Sequence, residues 1–268
     1  MRIPFTKAHG ARNDFLLTWA NDAPREKLPE AARAICDRHS GIGADGWILV
    51  RPNCEQPAGY DAAIRLFNAD GSEAEISGNG TRCAAAFLID TGLVADEVRI
   101  LTGAGIKHLR LLERRDLDYR FEMNMGRPAW REDQLRLALP LGAGPREVAV
   151  LDVGNPQCAV FVEELTSDWK TTAAEIEAHP FFPRHTNVSF VRPVDAHTLE
   201  VRFYERGVGE TMSSGTGSTG AVVAAILRGV AASPVRVLTP AGPLDLRWET
   251  DVFLTGPAEI VAGGEFYW

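Results

Sequence analysis

The chain has few cysteines, and they are scattered. Its 268 residues include four, Cys36, Cys54, Cys83 and Cys158, with no C-x-x-C pair. Widely spaced cysteines of this kind are usually free thiols in a reducing compartment. The sequence therefore predicts no disulfide framework. It also predicts no bound metal, because no cluster of residues has the spacing of zinc ligands.

Long apolar runs and excess positive charge are missing too. No segment approaches the roughly 18 apolar residues of a membrane-spanning helix, and residues 1–7 lack the apolar stretch of a signal peptide. The formal net charge is −8 and the pI is about 5.3, which disfavours nucleic-acid and anionic-membrane partners. We therefore expect a cytoplasmic protein that binds neither nucleic acid nor membrane.

A phosphate-binding loop is also missing from the glycine-rich segment S-G-I-G-A-D-G at residues 40–46. Such a loop would end in Lys-Ser or Lys-Thr, or would open a helix with G-x-G-x-x-G. Neither pattern is present. The segment is better interpreted as a connection that needs glycine backbone angles.

The strongest positive feature is a motif that occurs twice. E-A-E-I-S-G-N-G contains Ser77, and E-T-M-S-S-G-T-G contains Ser214. Apolar runs follow the copies, at Cys83–Ile89 and Ala221–Leu227. A helix that is apolar on nearly all faces must be surrounded by other elements. Each copy is therefore predicted to end a loop and to start a buried helix.

The remaining pattern gives each half many strands. We predict an α+β fold of two pseudo-symmetric domains, each a curved, mostly antiparallel sheet wrapped around a central apolar helix. The first domain comprises residues 1–118 and a C-terminal strand at 256–268, and the second comprises 119–255. The active site is expected in the cleft between the domains. A separate amphipathic helix is predicted at Leu28–His39, and Val252–Thr255 is predicted as its own strand.

The two matched helix starts indicate a ligand-binding site. The first turn of a helix offers unpaired N–H groups and about half a positive charge, and therefore binds carboxylates well. Either serine alone is explained as an N-cap. Two copies at matched positions favour a site that holds an α-carboxylate beside two proton-transfer groups, Ser77 and Ser214.

Further motifs are distributed along nearly the whole chain. They are H-G-A-R-N-D-F from His9, G-I-G-A-D-G from Gly41, N-A-D-G-S-E from Asn68, G-N-G-T-R-C from Gly78, G-N-P from Gly154, E-R-G-V-G-E-T from Glu205 and L-T-G-P-A-E from Leu254. With this set the chain resembles the diaminopimelate epimerase family of cofactor-independent amino-acid racemases and epimerases.

The resemblance implies an isomerase that interconverts L,L- and meso-diaminopimelate on the route to lysine and peptidoglycan. In the family, two groups transfer the α-proton without pyridoxal phosphate or another cofactor. The implied partner is a small-molecule amino acid, and the implied assembly is a homodimer.

By the same resemblance, Ser77 and Ser214 occupy the positions of the family's two catalytic cysteines. Gln157 stands where the family has the histidine of a G-N-P-H pattern. An alcohol is a far weaker acid than a thiol and needs a neighbouring base. Glu205 is the candidate base close to Ser214.

The resemblance also implies a substrate-binding set. The distal end of the substrate is bound by Asn68, Asn155, Asn187 and Arg206. Of these, Arg206 pairs with the distal carboxylate. Asn13 and Asn79 shape the pocket. The whole set comprises Asn13, Asn68, Gly78, Asn79, Asn155, Asn187, Glu205, Arg206, Gly215 and Thr216. Ordinary turn polarity explains any one of these residues, but not all of them at matching positions.

Three interpretations remain open. The protein is a diaminopimelate epimerase that works through Ser77 and Ser214, a related isomerase or racemase with another substrate or with proton transfer on one face, or a protein that binds a diamino acid without converting it. Exchange of the substrate α-hydrogen for deuterium separates turnover from binding.

Overall fold

The computed structural model describes residues 1–53 and 59–268, so the predicted free thiol of Cys54 lies outside the described residues. Strands predominate and α-helices are few, which makes the fold α+β. The chain divides into two compact units: the first unit contains Met1–Met123 and Gly256–Trp268, and the second contains Asn124–Thr255. Residue 118, where the sequence pattern placed the boundary, is the first residue of a strand.

The first unit is built mainly from antiparallel pairs. Its elements in chain order are β1 (Arg2–Gly10), β2 (Asn13–Trp19), α1 (Leu28–Cys36), β3 (Gly46–Pro52), β4 (Ala62–Asn68), β5 (Glu73–Ala74), α2 (Gly78–Asp90), β6 (Glu97–Thr102), β7 (Gly105–Arg115) and β8 (Asp118–Gly126). Neighbours pair antiparallel, except that β2 pairs with β3 and β4 with β6 in parallel.

The second unit repeats this topology. Its elements are β9 (Ala129–Trp130), β10 (Leu137–Leu139), β11 (Arg146–Asp152), β12 (Pro156–Phe161), α3 (Trp169–Glu177), β13 (Asn187–Asp195), β14 (Thr198–Glu205), β15 (Gly209–Thr211), α4 (Gly215–Leu227), β16 (Val235–Thr239), β17 (Gly242–Trp248) and the first residues of β18 (Val252–Tyr267), whose remainder from Gly256 belongs to the first unit. The parallel pairs are β12 with β13 and β14 with β16. These are the counterparts of the two parallel pairs in the first unit, so the motif repeat belongs to a repeat of the whole unit.

Helices α2 and α4 follow the two copies of the motif and are buried. Every residue of α2 from Gly78 to Ile89 is buried, and α4 is buried over most of its length. This confirms the prediction that each apolar run forms a surrounded helix, because a helix without a polar face has to be covered on all sides.

Helix α1 is shorter than predicted, ending at Cys36 rather than at His39. The Asp37 carboxylate accepts hydrogen bonds from the backbone N–H groups of His39 (2.9 Å) and Ser40 (2.6 Å). A side chain that binds the following backbone in this way competes with the helical pattern, and so ends the helix. The predicted glycine angles of the next segment are confirmed at Gly43, where φ is +80°.

The final strand is longer than predicted. Val252–Thr255 is not a separate strand but the first part of β18, which runs to Tyr267. The ladder with β17 ends at Thr255, and the ladder with β1 begins at Glu259. Pro257 has no N–H to donate and lies in the interval where neither ladder needs one. Within the described residues, no helix is long and apolar enough to cross a membrane.

Candidate active site

The two motif serines have the same backbone geometry. Ser77 (φ −130°, ψ 123°) and Ser214 (φ −140°, ψ 123°) are the N-caps of α2 and α4. Each Oγ atom accepts the N–H of the third helical residue, Gly80 or Gly217, at 3.1 Å. One of the orphan donors of each helix is therefore satisfied by serine, and the remaining N–H groups of the first turn give each start a positive potential.

Glycine at the third helical position lets each start pack closely on its sheet. A Cβ atom at Gly217 would lie 2.7 Å from a ring carbon of the buried Phe203. At Gly80 it would lie 3.1 Å from Ile48 and 3.3 Å from Phe15. A methyl group at Gly217 would thus overlap the sheet, and one at Gly80 would need its neighbours to move by a few tenths of an ångström.

Asparagine side chains join the α2 start to β2. Asn79 Nδ2 donates to Asn13 Oδ1 at 3.2 Å, and Asn13 Nδ2 donates to Asp45 Oδ2 at 2.7 Å. Asn79 is 2% exposed. The structure therefore brings the predicted pocket residues Asn13 and Asn79 together at the helix start that Ser77 caps and Gly78 begins.

Arg82 is a buried cation in the second turn of α2. It donates to Asn79 Oδ1 (2.5 Å), Gly78 O (3.2 Å) and Pro257 O (2.9 Å). Burial lowers its pKa to about 10, so it remains charged at neutral pH. Its hydrogen-bond partners in the described parts of the chain are all uncharged, and its charge adds to the positive potential of the α2 start.

The α4 start has a matching asparagine in a different network. Asn155 Nδ2 donates to Thr216 Oγ1 at 3.4 Å, and Asn155 Oδ1 accepts from Gln157 Nε2 at 2.7 Å. Gln157 is 2% exposed, and its stem lies against the α4 helix, 2.9 Å from where a Cβ of Gly220 would be. Gly215 and Thr216 begin this helix, so the structure brings Asn155, Gly215 and Thr216 together.

Glu205 is the ionisable group next to Ser214. It ends β14, and its carboxyl group faces the hydroxyl groups of Ser214 and Thr211. Desolvation raises the pKa of Glu205 above its ordinary value, and the two hydroxyl groups oppose that shift more weakly. A carboxylate with a raised pKa is a better proton acceptor than an ordinary one.

Asn187 and Arg206 form one structural group. Asn187 Nδ2 donates to Pro156 O at 3.1 Å, and its Oδ1 accepts the backbone N–H of Arg206 at 3.1 Å. The Arg206 side chain donates to Arg184 O at 3.3 Å. Over residues 1–53 and 59–268, no carboxylate pairs with this exposed guanidinium, which leaves it able to bind a ligand carboxylate.

Asn68 ends β4, the position in the first unit that Glu205 has in the second. Its Nδ2 donates to Ser72 Oγ at 3.0 Å, and Ser72 in turn donates to Asp70 at 2.6 Å. Its amide is thus tied into the turn that follows the strand, and an amide cannot serve as a base.

The three described cysteines, Cys36, Cys83 and Cys158, are free and buried. Burial raises the pKa of both the Cys36 and the Cys83 thiol to about 12, and that of Cys158 well above the usual range. None of these groups forms a thiolate readily at neutral pH. In the described residues, no group of three or more His, Cys, Asp or Glu side chains could hold a metal ion.

The comparisons with known proteins identify the family. The family described as diaminopimelate epimerase matches residues 5–130 and 149–261. The chain belongs to the diaminopimelate epimerase family. It is 38% identical to the diaminopimelate epimerase of Pelotomaculum thermopropionicum and 40% identical to that of Moorella thermoacetica, in each case over 98% of both chains.

Solved structures with low sequence identity share the fold. A hydroxyproline epimerase from Agrobacterium vitis has a TM-score of 0.74 at 16% identity, covering 98% of this chain and 92% of that one. A methylitaconate-delta-isomerase has a TM-score of 0.65 at 17% identity, covering 99% and 95%. At these identities the likeness concerns the fold alone.

Three residues that contact the predicted site residues were not themselves predicted. Asp45 and Arg82 stand at the two ends of the asparagine pair, and Thr211 faces Glu205. A signal for Arg82 was present, because a charged residue inside an otherwise apolar helix needs buried partners. Asp45 stood in a motif assigned to backbone geometry, and nothing near Thr211 distinguished it from a turn residue.

Proposed function

We propose that this protein interconverts L,L- and meso-diaminopimelate by α-proton transfer without pyridoxal phosphate, as an isomerase of lysine and peptidoglycan biosynthesis. Family membership supports the substrate. The observation that carries the chemistry is the Glu205 carboxyl group facing Ser214 at the start of α4. A serine hydroxyl needs such a base before it can remove a proton.

In the proposed step, Ser214 Oγ takes the α-proton while its own proton passes to ionised Glu205. The electron pair of the broken C–H bond remains on the α-carbon and is delocalised into the substrate α-carboxylate. Helix-start N–H groups stabilise this added negative charge. Ser77 then donates its hydroxyl proton to the α-carbon and regains one from solvent, while Glu205 releases its proton. In the opposite direction the same steps run backwards: Ser77 gives its proton to solvent and takes the α-proton, and Ser214 returns a proton to the α-carbon while protonated Glu205 replaces it.

Substrate binding uses the remaining predicted residues. Arg206 pairs with the distal carboxylate, and Asn68, Asn155 and Asn187 hold the distal amino-acid end. The helix-start set binds the α-carboxylate and shapes the pocket through Asn13, Gly78, Asn79, Gly215 and Thr216. The exposed guanidinium of Arg206 supports this assignment, because it has a backbone carbonyl as partner and is not neutralised by a carboxylate in the described ranges.

Binding without conversion is the second candidate. The observation that favours it is that both serine hydroxyls already accept a helix N–H, as ordinary N-caps do. In addition, Gln157 stands where the family resemblance implies a histidine, and an amide does not exchange protons usefully near neutral pH.

Deuterium exchange separates the two candidates. The protein is incubated with L,L-diaminopimelate in D₂O, and NMR follows the α-hydrogen signal and the appearance of the meso form. Deuterium entry with epimerisation is expected. Tight binding with no exchange over hours would instead establish the binding function.

Two sets of variants assign the activity to the serines. Ser214→Ala should abolish exchange, whereas Ser213→Ala, which removes a buried neighbouring hydroxyl without a hydrogen-bond partner in the described residues, should retain it. A Ser77→Cys/Ser214→Cys variant should exchange faster than the parent, because a helix start lowers a thiol pKa toward neutrality. An unchanged or lower rate would argue against proton transfer at these two positions.

The finer features implied by the resemblance belong to the same proposal. They are a cytoplasmic location, a homodimer, and units in which a curved sheet wraps around α2 or α4. The chain mass is 29.2 kDa, so sedimentation equilibrium should give twice that mass. A single-chain mass at micromolar concentration would contradict the dimer.

A further inference from the structure

A chain of side-chain hydrogen bonds runs through the α2 start, and its ends are charged. Arg82 Nη2 donates to Asn79 Oδ1 at 2.5 Å, and Asn79 Nδ2 donates to Asn13 Oδ1 at 3.2 Å. Asn13 Nδ2 then donates to Asp45 Oδ2 at 2.7 Å. Two amides are thus held in line between a guanidinium and a carboxylate.

The charged ends decide how both amides are turned. An amide can usually present either its oxygen or its nitrogen to a neighbour. Arginine only donates and an ionised carboxylate only accepts. Asn79 must therefore turn its oxygen toward Arg82, and Asn13 must turn its nitrogen toward Asp45. The Asn79–Asn13 bond satisfies both conditions at once.

Both ends are themselves fixed in place. Asp45 Oδ1 accepts from Arg38 Nη2 at 2.8 Å, and Asp45 Oδ2 also accepts the backbone N–H of Asp14 at 3.1 Å. At the other end Arg82 is fully buried and bonded to two backbone carbonyls. The amides between them consequently have little freedom to turn over.

The corresponding hydrogen-bond network at the α4 start does not end in charged side chains. Asn155 lies between Gln157 and Thr216, and it turns its nitrogen toward the helix, the reverse of Asn13. Glutamine and threonine side chains can each donate or accept, so this network also permits the opposite arrangement. Fixed amide orientation is therefore a property of the Ser77 half of the repeat.

We propose that Asp45 is a positioning residue that acts through Asn13 and Asn79 and, together with Arg82 at the other end of the chain of hydrogen bonds, determines which amide atoms face the substrate at the α2 start. The role in turnover rests on the proposed function. The effect on amide orientation does not, and it can be measured without substrate.

The test replaces Asp45 by asparagine, which keeps the shape but lets the side chain donate as well as accept. Asp61→Asn is the matched control, because Asp61 likewise accepts a backbone N–H (2.8 Å) and an arginine Nη2 (2.7 Å), both from Arg99, in the same unit. NMR of the side-chain NH₂ groups of Asn13 and Asn79 reports their surroundings in the free protein. Both signals should shift in Asp45→Asn and stay in place in Asp61→Asn.

The catalytic part of the test is a double-mutant cycle with Asn13→Ala. Asp45→Asn should lower the deuterium-exchange rate about tenfold, which corresponds to ~1.4 kcal/mol of activation free energy. The double variant should lose no more than Asn13→Ala alone, and Asp61→Asn should match the parent. Losses that multiply in the double variant would overturn the proposal.

Deuterium exchange and side-chain NMR test the proposed function and the role of Asp45 separately. If the parent protein shows no exchange, the proposed function is wrong, and the NMR comparison alone decides the role of Asp45. An Asn79 signal that is unmoved by Asp45→Asn would overturn the positioning role, whatever the activity of the parent.

Discussion

The carboxyl group of Glu205 faces the hydroxyl group of Ser214, at the place where β14 ends and α4 is about to begin. The matched residue in the first unit is Asn68, whose amide is bonded to Ser72. The two halves of the repeat therefore differ chemically, although both serines cap a helix in the same way. The Ser214 half contains a proton acceptor, and the Ser77 half contains a buried cation, Arg82.

The first prediction concerns Glu205 as a base. Glu205→Gln should lower the deuterium-exchange rate about 100-fold or more, the usual contribution of a general base, while leaving the affinity for L,L-diaminopimelate nearly unchanged. Exchange followed by NMR and binding followed by calorimetry measure the two effects. Glu210→Gln is the control, because Glu210 is exposed and pairs with Lys170 on the surface. Equal rates for Glu205→Gln and the parent would contradict the assignment.

The second prediction follows from the raised pKa of Glu205. In the unfolded chain the group titrates near its ordinary value of 4.5, whereas burial raises the pKa in the folded state. The unfolded chain therefore loses its proton first, and stability is lost as pH rises through 4.5 and then through the folded pKa. Below 4.5 both states are protonated and this loss disappears.

Glu205→Gln should accordingly be more stable than the parent at pH ~8, with the difference shrinking toward pH ~4, where the carboxyl is neutral in both states. Each unit by which the folded pKa exceeds the unfolded one contributes ~1.4 kcal/mol to the difference. Urea unfolding of both proteins at the two pH values measures it. A difference that is constant with pH would mean that the carboxyl titrates normally.

Local sequence patterns predicted the two buried helices and the serines at their starts. They did not predict the hydrogen bonds that link residues far apart in the chain. The apolar runs predicted α2 and α4, and the serine-glycine motif predicted their starts. The bond between Asn79 and Asn13 joins residues 66 positions apart. The packing of α2 against β1 and β2, which single-sequence patterns do not provide, brings them together. Position 45 was assigned to a glycine-rich connection, because the segment matches no phosphate-binding pattern and its glycines were explained by backbone angles.

The third prediction concerns thiol reactivity. In the native protein, iodoacetamide should label Cys36, Cys83 and Cys158 very slowly, because burial raises each thiol pKa and blocks access. Ser77→Cys should be labelled quickly, since residue 77 is only partly buried and caps a helix start, which favours thiolate. Mass spectrometry of the peptides gives each rate, and labelling in urea shows that every site can react. Rapid native labelling at Cys83 would contradict the buried environment of α2.

The last prediction concerns Gly217, where the motif requires glycine for packing. A methyl group there would lie 2.7 Å and 3.0 Å from two ring carbons of Phe203, a side chain that is only 1% exposed. Gly217→Ala should therefore destabilise the protein by ~1–3 kcal/mol, as overpacking of a core does, although alanine favours helix more than glycine. Gly142→Ala is the control, because its nearest neighbour would be the Glu175 carboxylate at an ordinary 3.5 Å. Urea unfolding compares both with the parent. A stabilised Gly217→Ala variant would show that the α4 start can move away from its sheet, and that the position of Ser214 is not fixed by packing.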